Sequence, residues 1–235
     1  MSATTTLRPE ETTTAELVRT ARTTGLLYLG LAITGLLSYM LIRNQLFVAG
    51  DPGATLAKLT QHEFLARLGI VMEMGVVLTQ ALVALWFYRL FARVNAFAAG
   101  SIAAFGLVNA VAILGSAALL AAALDVSLDA SLTAGGGVAA TSQLLYVVSG
   151  HLWTIGGIFF GLWLIPMGWL ARRSGWMPSA LGWFLMIGGV GYVLSALLSY
   201  LLPAAGSVLD LITLPATIGE LWMVGYLCLR GVRRS

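Results

Sequence analysis

Three residues able to exchange protons or hold a ligand, Glu73, His151 and Glu220, lie inside runs of apolar residues long enough to cross a bilayer. A carboxylate at membrane depth costs several kcal/mol or gives up its charge, so it persists with a partner, in a polar cavity or in a functional role. Helical spacing adds companions. Glu73 and Gln80 are seven residues apart and share one line of a helix, and Thr213, Thr217 and Glu220 fall on one stripe, with Asp210 slightly displaced. Pro215 interrupts that stripe, frees a backbone carbonyl and can kink the helix. Asn109 sits near the middle of another apolar run. The chemistry open to such a set is proton exchange, hydrogen bonding to a ligand, or coordination of zinc or iron by one neutral nitrogen and two hard oxygens, His151, Glu73 and Glu220.

Other chemistries lack their signatures. The chain has two histidines, His62 and His151, and one cysteine, Cys228, with no His-x-x-x-His, Cys-x-x-Cys or His-Glu-x-x-His spacing. A haem held by two histidines would need His62, expected at the outer interface, to reach the depth of His151. No Gly-x-Ser-x-Gly elbow, phosphate loop, arginine row or ring of charge is present. The catalytic residues and any cofactor stay unassigned.

The elements that position these residues follow from composition. Of 235 residues 59% are hydrophobic and 10% charged, more apolar surface than one soluble core of this size can bury. The reading is an all-α polytopic integral membrane protein. Six spans of roughly bilayer length are expected at about 23–42, 66–88, 96–122, 143–170, 179–202 and 208–229. Residues 1–20, rich in Thr, are expected to form a flexible tail, 21–230 the transmembrane domain and 231–235 a short basic tail. The net charge of +3 is scattered in small groups between the apolar runs and points to no nucleic-acid partner. Those groups set topology: Arg19 and Arg22, Arg89 and Arg93, Arg172 and Arg173, then Arg230, Arg233 and Arg234 mark one side. Asp51 and Glu63, Asp125 and Asp129, and Asp210 mark the other, with only Arg43, Lys58 and Arg67 for positive charge. The positive-inside rule then places both termini in the cytoplasm, in a cell (plasma or inner) membrane.

Asp51 followed by Pro52 is an N-cap and first-turn pair, predicting a short interfacial helix in the first outer connection with Leu56, Leu59 and Phe64 to one side. Gly135, Gly136 and Gly137 read as a flexible second outer loop, and Gly157 with Gly161, Ser195 with Ser199, and Gly188, Gly189 and Gly191 predict close helix packing. From the helical rise, Glu73 is expected about 10 Å, His151 about 12 Å and Glu220 about 18 Å below the outer edge. Together with Asn109 they would line one outward-opening cavity if spans two, three, four and six are neighbours. Glu73 has the alternative of pairing with Arg67, and Asn109 and Gln80 that of joining helices.

Several stretches resemble one family in order and spacing. They are Arg67-Leu68-Gly69-Ile70 followed by Glu73; His151 ahead of Ile158-Phe159-Phe160-Gly161-Leu162; Ser174-Gly175-Trp176-Met177-Pro178 with Leu181-Gly182; Gly188-Gly189-Val190-Gly191-Tyr192; and Pro215-Ala216-Thr217-Ile218-Gly219-Glu220. They resemble domain of unknown function 4386, a family of polytopic bacterial membrane proteins, over nearly the whole chain after the tail. The resemblance implies no activity. It directs attention to Arg67, Glu73, His151 and Glu220, with Glu73 where Asp is common in the family.

Three functions are compatible with these observations. The first is a non-enzymatic membrane protein binding a lipid-like or small hydrophobic ligand, or a partner subunit, in a polar pocket, with homo-oligomerisation open. The second is a proton-coupled transporter using Glu73 and Glu220. The third is an intramembrane metal or haem enzyme using His151.

Overall fold

Buried positions along the long helices alternate by three and four residues, the repeat that sets helices side by side at shallow left-handed angles. In α4 (Glu63–Phe91) they run Ala66, Gly69, Glu73, Val76, Gln80, Val83, Phe87, Leu90. In α5 (Ala96–Leu128) they run Ala99, Ile102, Gly106, Asn109, Ile113, Ser116, Leu120, Ala123. The same rhythm appears in the first span as Ala21, Thr24, Tyr28, Leu31, Ser38, Ile42, and in α6 (Val138–Arg173) as Ser142, Tyr146, Ser149, Gly156, Trp163, Met167, Leu170. Polar residues thus occupy seam positions that in a soluble bundle would be filled by Leu or Ile.

The structure, a computed structural model, describes residues 9–133, 135 and 137–232. Arg8, Gly136, Arg233 and Arg234 lie outside the described residues, as do the side chains of Glu10 and Glu11. The described residues form no strand; six helical stretches are long and apolar enough to cross a membrane. The first of these joins α1 (Pro9–Gly35), a π-helical segment (Leu36–Ile42) and α2 (Arg43–Leu46). A short α3 (Pro52–Gln61) follows, then α4, α5 and α6, α7 (Ser179–Leu201) and α8 (Gly206–Leu229). Each long helix packs on the next in chain order, and α1 closes the circuit by packing on both α4 and α8.

The helices run past several of the expected span ends. The first span continues to Leu46, α4 begins at Glu63, α5 extends to Leu128 and α6 begins at Val138. All four extensions lie at the end of the bundle that carries α3. The reason is a second core there: Ile42, Leu46, Leu59, Ala66, Leu120, Ala123, Leu124 and Tyr146 pack together beyond the main one. Asp51 caps α3 by accepting the Ala54 N–H at 2.9 Å, with Pro52 in the first turn, as expected. The buried face of α3 is Thr55 and Leu59, whereas Phe64 belongs to α4 and is 79% exposed. At the opposite, basic end, α1 already begins at Pro9, so the described part of the expected tail is helical; Thr20 and Ala21 are buried and Glu16 pairs with Arg89 at 2.9 Å.

The glycine cluster of α7 does the packing expected of it. A side chain at Gly188 would run into the backbone of Ala216, one at Gly191 into the Ile212 carbonyl, and one at Gly189 into the Gly161 carbonyl. These contacts bind α7 to α8 on one side and to α6 on the other.

Candidate functional site

Glu73 is fully buried on the seam of α4. Its Oε1 accepts the indole N–H of Trp153 on α6 at 3.0 Å, and Ser38 and Ser116 lie beside the carboxylate. Its charge is opposed by Arg43, whose guanidinium stands 3.9 Å from the same oxygen with only 9% of the side chain exposed. Arg43 donates to the Ser149 hydroxyl at 2.9 Å and to the Tyr146 carbonyl at 2.5 Å, and it lies over the Tyr39 and Tyr146 rings. Ser149 in turn is 2.7 Å from Ser116. At about 4 Å and an effective dielectric near 20, such a pair attracts by about 4 kcal/mol, which offsets part of the cost of burying both charges.

The π-helical segment explains how Arg43 enters the bundle. The Arg43 N–H bonds the Ser38 carbonyl, five residues back, which widens the turn and swings Ser38 inward and Arg43 toward α6. Tyr39, in the same segment, packs against Trp153 at a 36° tilt with ring centroids 4.7 Å apart. A cavity of ≈ 10 Å³, about room for one water molecule, lies one turn beyond Glu73 among Ser38, Arg43, Gly69 and Tyr146. Despite this company, Glu73 Oε2 is buried without a hydrogen-bond partner.

The remaining expected residues separate. Gln80 is fully buried two turns along the same seam, with neither amide atom partnered. Asn109 is also buried, its amide oxygen against Gly156. Glu220 is not part of this cluster: it accepts a short 2.5 Å bond from the Tyr28 hydroxyl, tying α8 to α1, with Tyr192 within electrostatic reach. His151 sits off the seam, on the exposed surface, with Nδ1 2.8 Å from the hydroxyl of Tyr200 near the end of α7. Thr217 is exposed, and the Thr213 hydroxyl is turned back to the Asp210 carbonyl, so the α8 stripe forms no interior route to Glu220. Arg67 is exposed and pairs with Glu63, 2.6 Å away on its own helix, rather than with Glu73.

The expected single cavity therefore resolves into an interior cluster holding Glu73, with Gln80 and Asn109 further along the seam, a separate Tyr28–Glu220 contact, and a surface His151–Tyr200 pair. Among the described residues no three His, Cys, Asp or Glu side chains gather as a metal site requires, and Glu73, His151 and Glu220 do not converge. Sequence reasoning missed Arg43, treating it as a loop charge, and also Tyr28, Trp153, Ser38, Ser116 and Ser149. A seven-residue spacing marks Asn109 with Ser116 and Ser142 with Ser149, the same signal that singled out Glu73 and Gln80.

Six apolar helices in chain order around a polar-seamed interior define a multi-pass α-helical membrane protein. The chain belongs to the family described as domain of unknown function (DUF4386), whose model matches residues 23–231, nearly its whole length. No curated protein and no solved structure matches it.

Proposed function

We propose that this protein is a non-enzymatic membrane protein that binds a lipid-like molecule with a neutral hydroxyl head, seated against Glu73 beneath the α3 cap. The observation that carries the reading is the buried, unpartnered Oε2 of Glu73, one turn from a small cavity whose mainly apolar wall (Ile42, Leu46, Ala66, Leu120) also carries Ser38 and Arg43. Arg43 already offsets the charge of Glu73, so the spare oxygen suits a neutral donor better than a cation. The cavity holds about one water, so a larger head enters by displacing the wall formed by the π-helical segment. That wall faces the bilayer: Met40 is 60% exposed and Leu41 47%. An apolar tail would lie along it. With the basic loops taken as cytoplasmic, this site opens in the outer half of the membrane.

The test is thermal stabilisation of delipidated protein by a monoacylglycerol, compared with a fatty-acid anion of equal chain length. At about 100 times its Kd the bound ligand contributes about 2.7 kcal/mol to stability, visible as a rise in Tm. The rise is expected with the monoacylglycerol and absent with the anion. It is expected to disappear in the paired variant Arg43→Met/Glu73→Met, which removes the charges together and leaves an apolar seam. Equal stabilisation of wild type and paired variant would refute the site.

A further inference from the structure

Between Glu73 and the Tyr28–Glu220 contact, the bundle interior carries hydrogen-bonding groups that nothing in the protein satisfies. Glu73 Oε2, both amide atoms of Gln80 and Trp163 Nε1 are all buried and unpartnered, and all three residues are fully enclosed. They are ordered along one axis. Gln80 follows Glu73 by seven residues on α4, about 10 Å along the helix. Trp163 lies at the level of Ala84, one turn further, because a side chain at Gly106 would touch both. Trp153 and Trp163, ten residues apart on α6, bracket the same stretch of about 15 Å.

We infer that this stretch of the seam holds a file of internal water molecules, and that the file joins Glu73 to the Tyr28–Glu220 pair as a path for protons. The groups are complementary in the way water requires: Glu73 Oε2 and Gln80 Oε1 accept, while Gln80 Nε2 and Trp163 Nε1 donate. Internal waters are found where buried polar groups lack a protein partner, each water bonding two to four of them. Gln80 and Trp163 act as fixed points that orient the waters. At the far end the Tyr28 ring packs edge-on against Trp163, with centroids 5.7 Å apart, and its hydroxyl reaches Glu220. A tyrosine hydroxyl both accepts and donates, so a proton taken from water on one side can be passed as another to the carboxylate on the other. The inference shares Glu73 Oε2 with the hydroxyl ligand proposed above, but it rests chiefly on Gln80 and Trp163, which that ligand does not need.

The experiment is proton influx into liposomes holding the full chain and an internal pH dye, driven by a potassium diffusion potential with valinomycin. Wild type is expected to acidify the lumen faster than protein-free liposomes. Gln80→Leu, which fills the seam with an apolar side chain, is expected to reduce influx to the protein-free rate. Wild-type influx no greater than that of protein-free liposomes, or a folded Gln80→Leu variant as fast as wild type, overturns the inference. If Gln80→Leu does not fold, Gln80→Met decides: it keeps the side-chain length without the amide, so influx at the protein-free rate supports the file and influx at the wild-type rate refutes it. Failure here leaves the monoacylglycerol stabilisation intact, which separates the two proposals.

Discussion

Arg43 and Glu73 decide how the interior is held. Each charge depends on the other: removing one strands its partner in the buried seam without a counter-charge. Glu73→Ala is therefore expected to cost about 3–5 kcal/mol, while Arg43→Met/Glu73→Met is expected to cost less, because an apolar pair avoids the desolvation of both ions and leaves only neutral groups such as the Trp153 N–H without a partner. Equilibrium unfolding in mild detergent checks the cycle, and additive losses would contradict a direct coupling. The acid itself was legible in the sequence, since a carboxylate in an apolar run draws attention by its cost. Its partner was not. Arg43 follows an apolar run and precedes Asn44 and Gln45, so it reads as a loop charge; only the widened π-helical turn, which leaves no clear mark in composition, carries it inside.

The helices themselves were more legible than their ends. Hydropathy placed all six spans, and the errors fall where the first span, α4, α5 and α6 continue into the α3 cap, whose packing depends on contacts distant in sequence, and at the basic end, where α1 begins at Pro9. Glycine spacing was also readable, because only a missing side chain lets two backbones approach so closely. Gly188→Leu is expected to separate α7 from α8, since its side chain would occupy the place of the Ala216 backbone. Over-packing of this kind costs about 1–3 kcal/mol or more, and the loss is expected to appear as a lower Tm and new protease sensitivity between α7 and α8. Unchanged stability would show that this contact is slack.

At the scale of the whole molecule, which helices are neighbours was the missing information. The sequence offers Glu73, Asn109, His151 and Glu220 as one cavity, but adjacency in chain order puts His151 on the surface and hands Glu220 to Tyr28 across the α1–α8 seam. Both interior acids consequently hold on to the first span, one near each end of its membrane-facing stretch: Tyr28 meets Glu220, and Arg43 meets Glu73. Ligand entry at Glu73 would act on the same span that anchors Glu220. The most direct measurement is native mass spectrometry of protein purified in mild detergent, wild type beside Arg43→Met/Glu73→Met. The account expects a neutral, lipid-sized adduct on the wild type that is absent from the paired variant. A bare wild-type mass, or the same adduct on both, would contradict it.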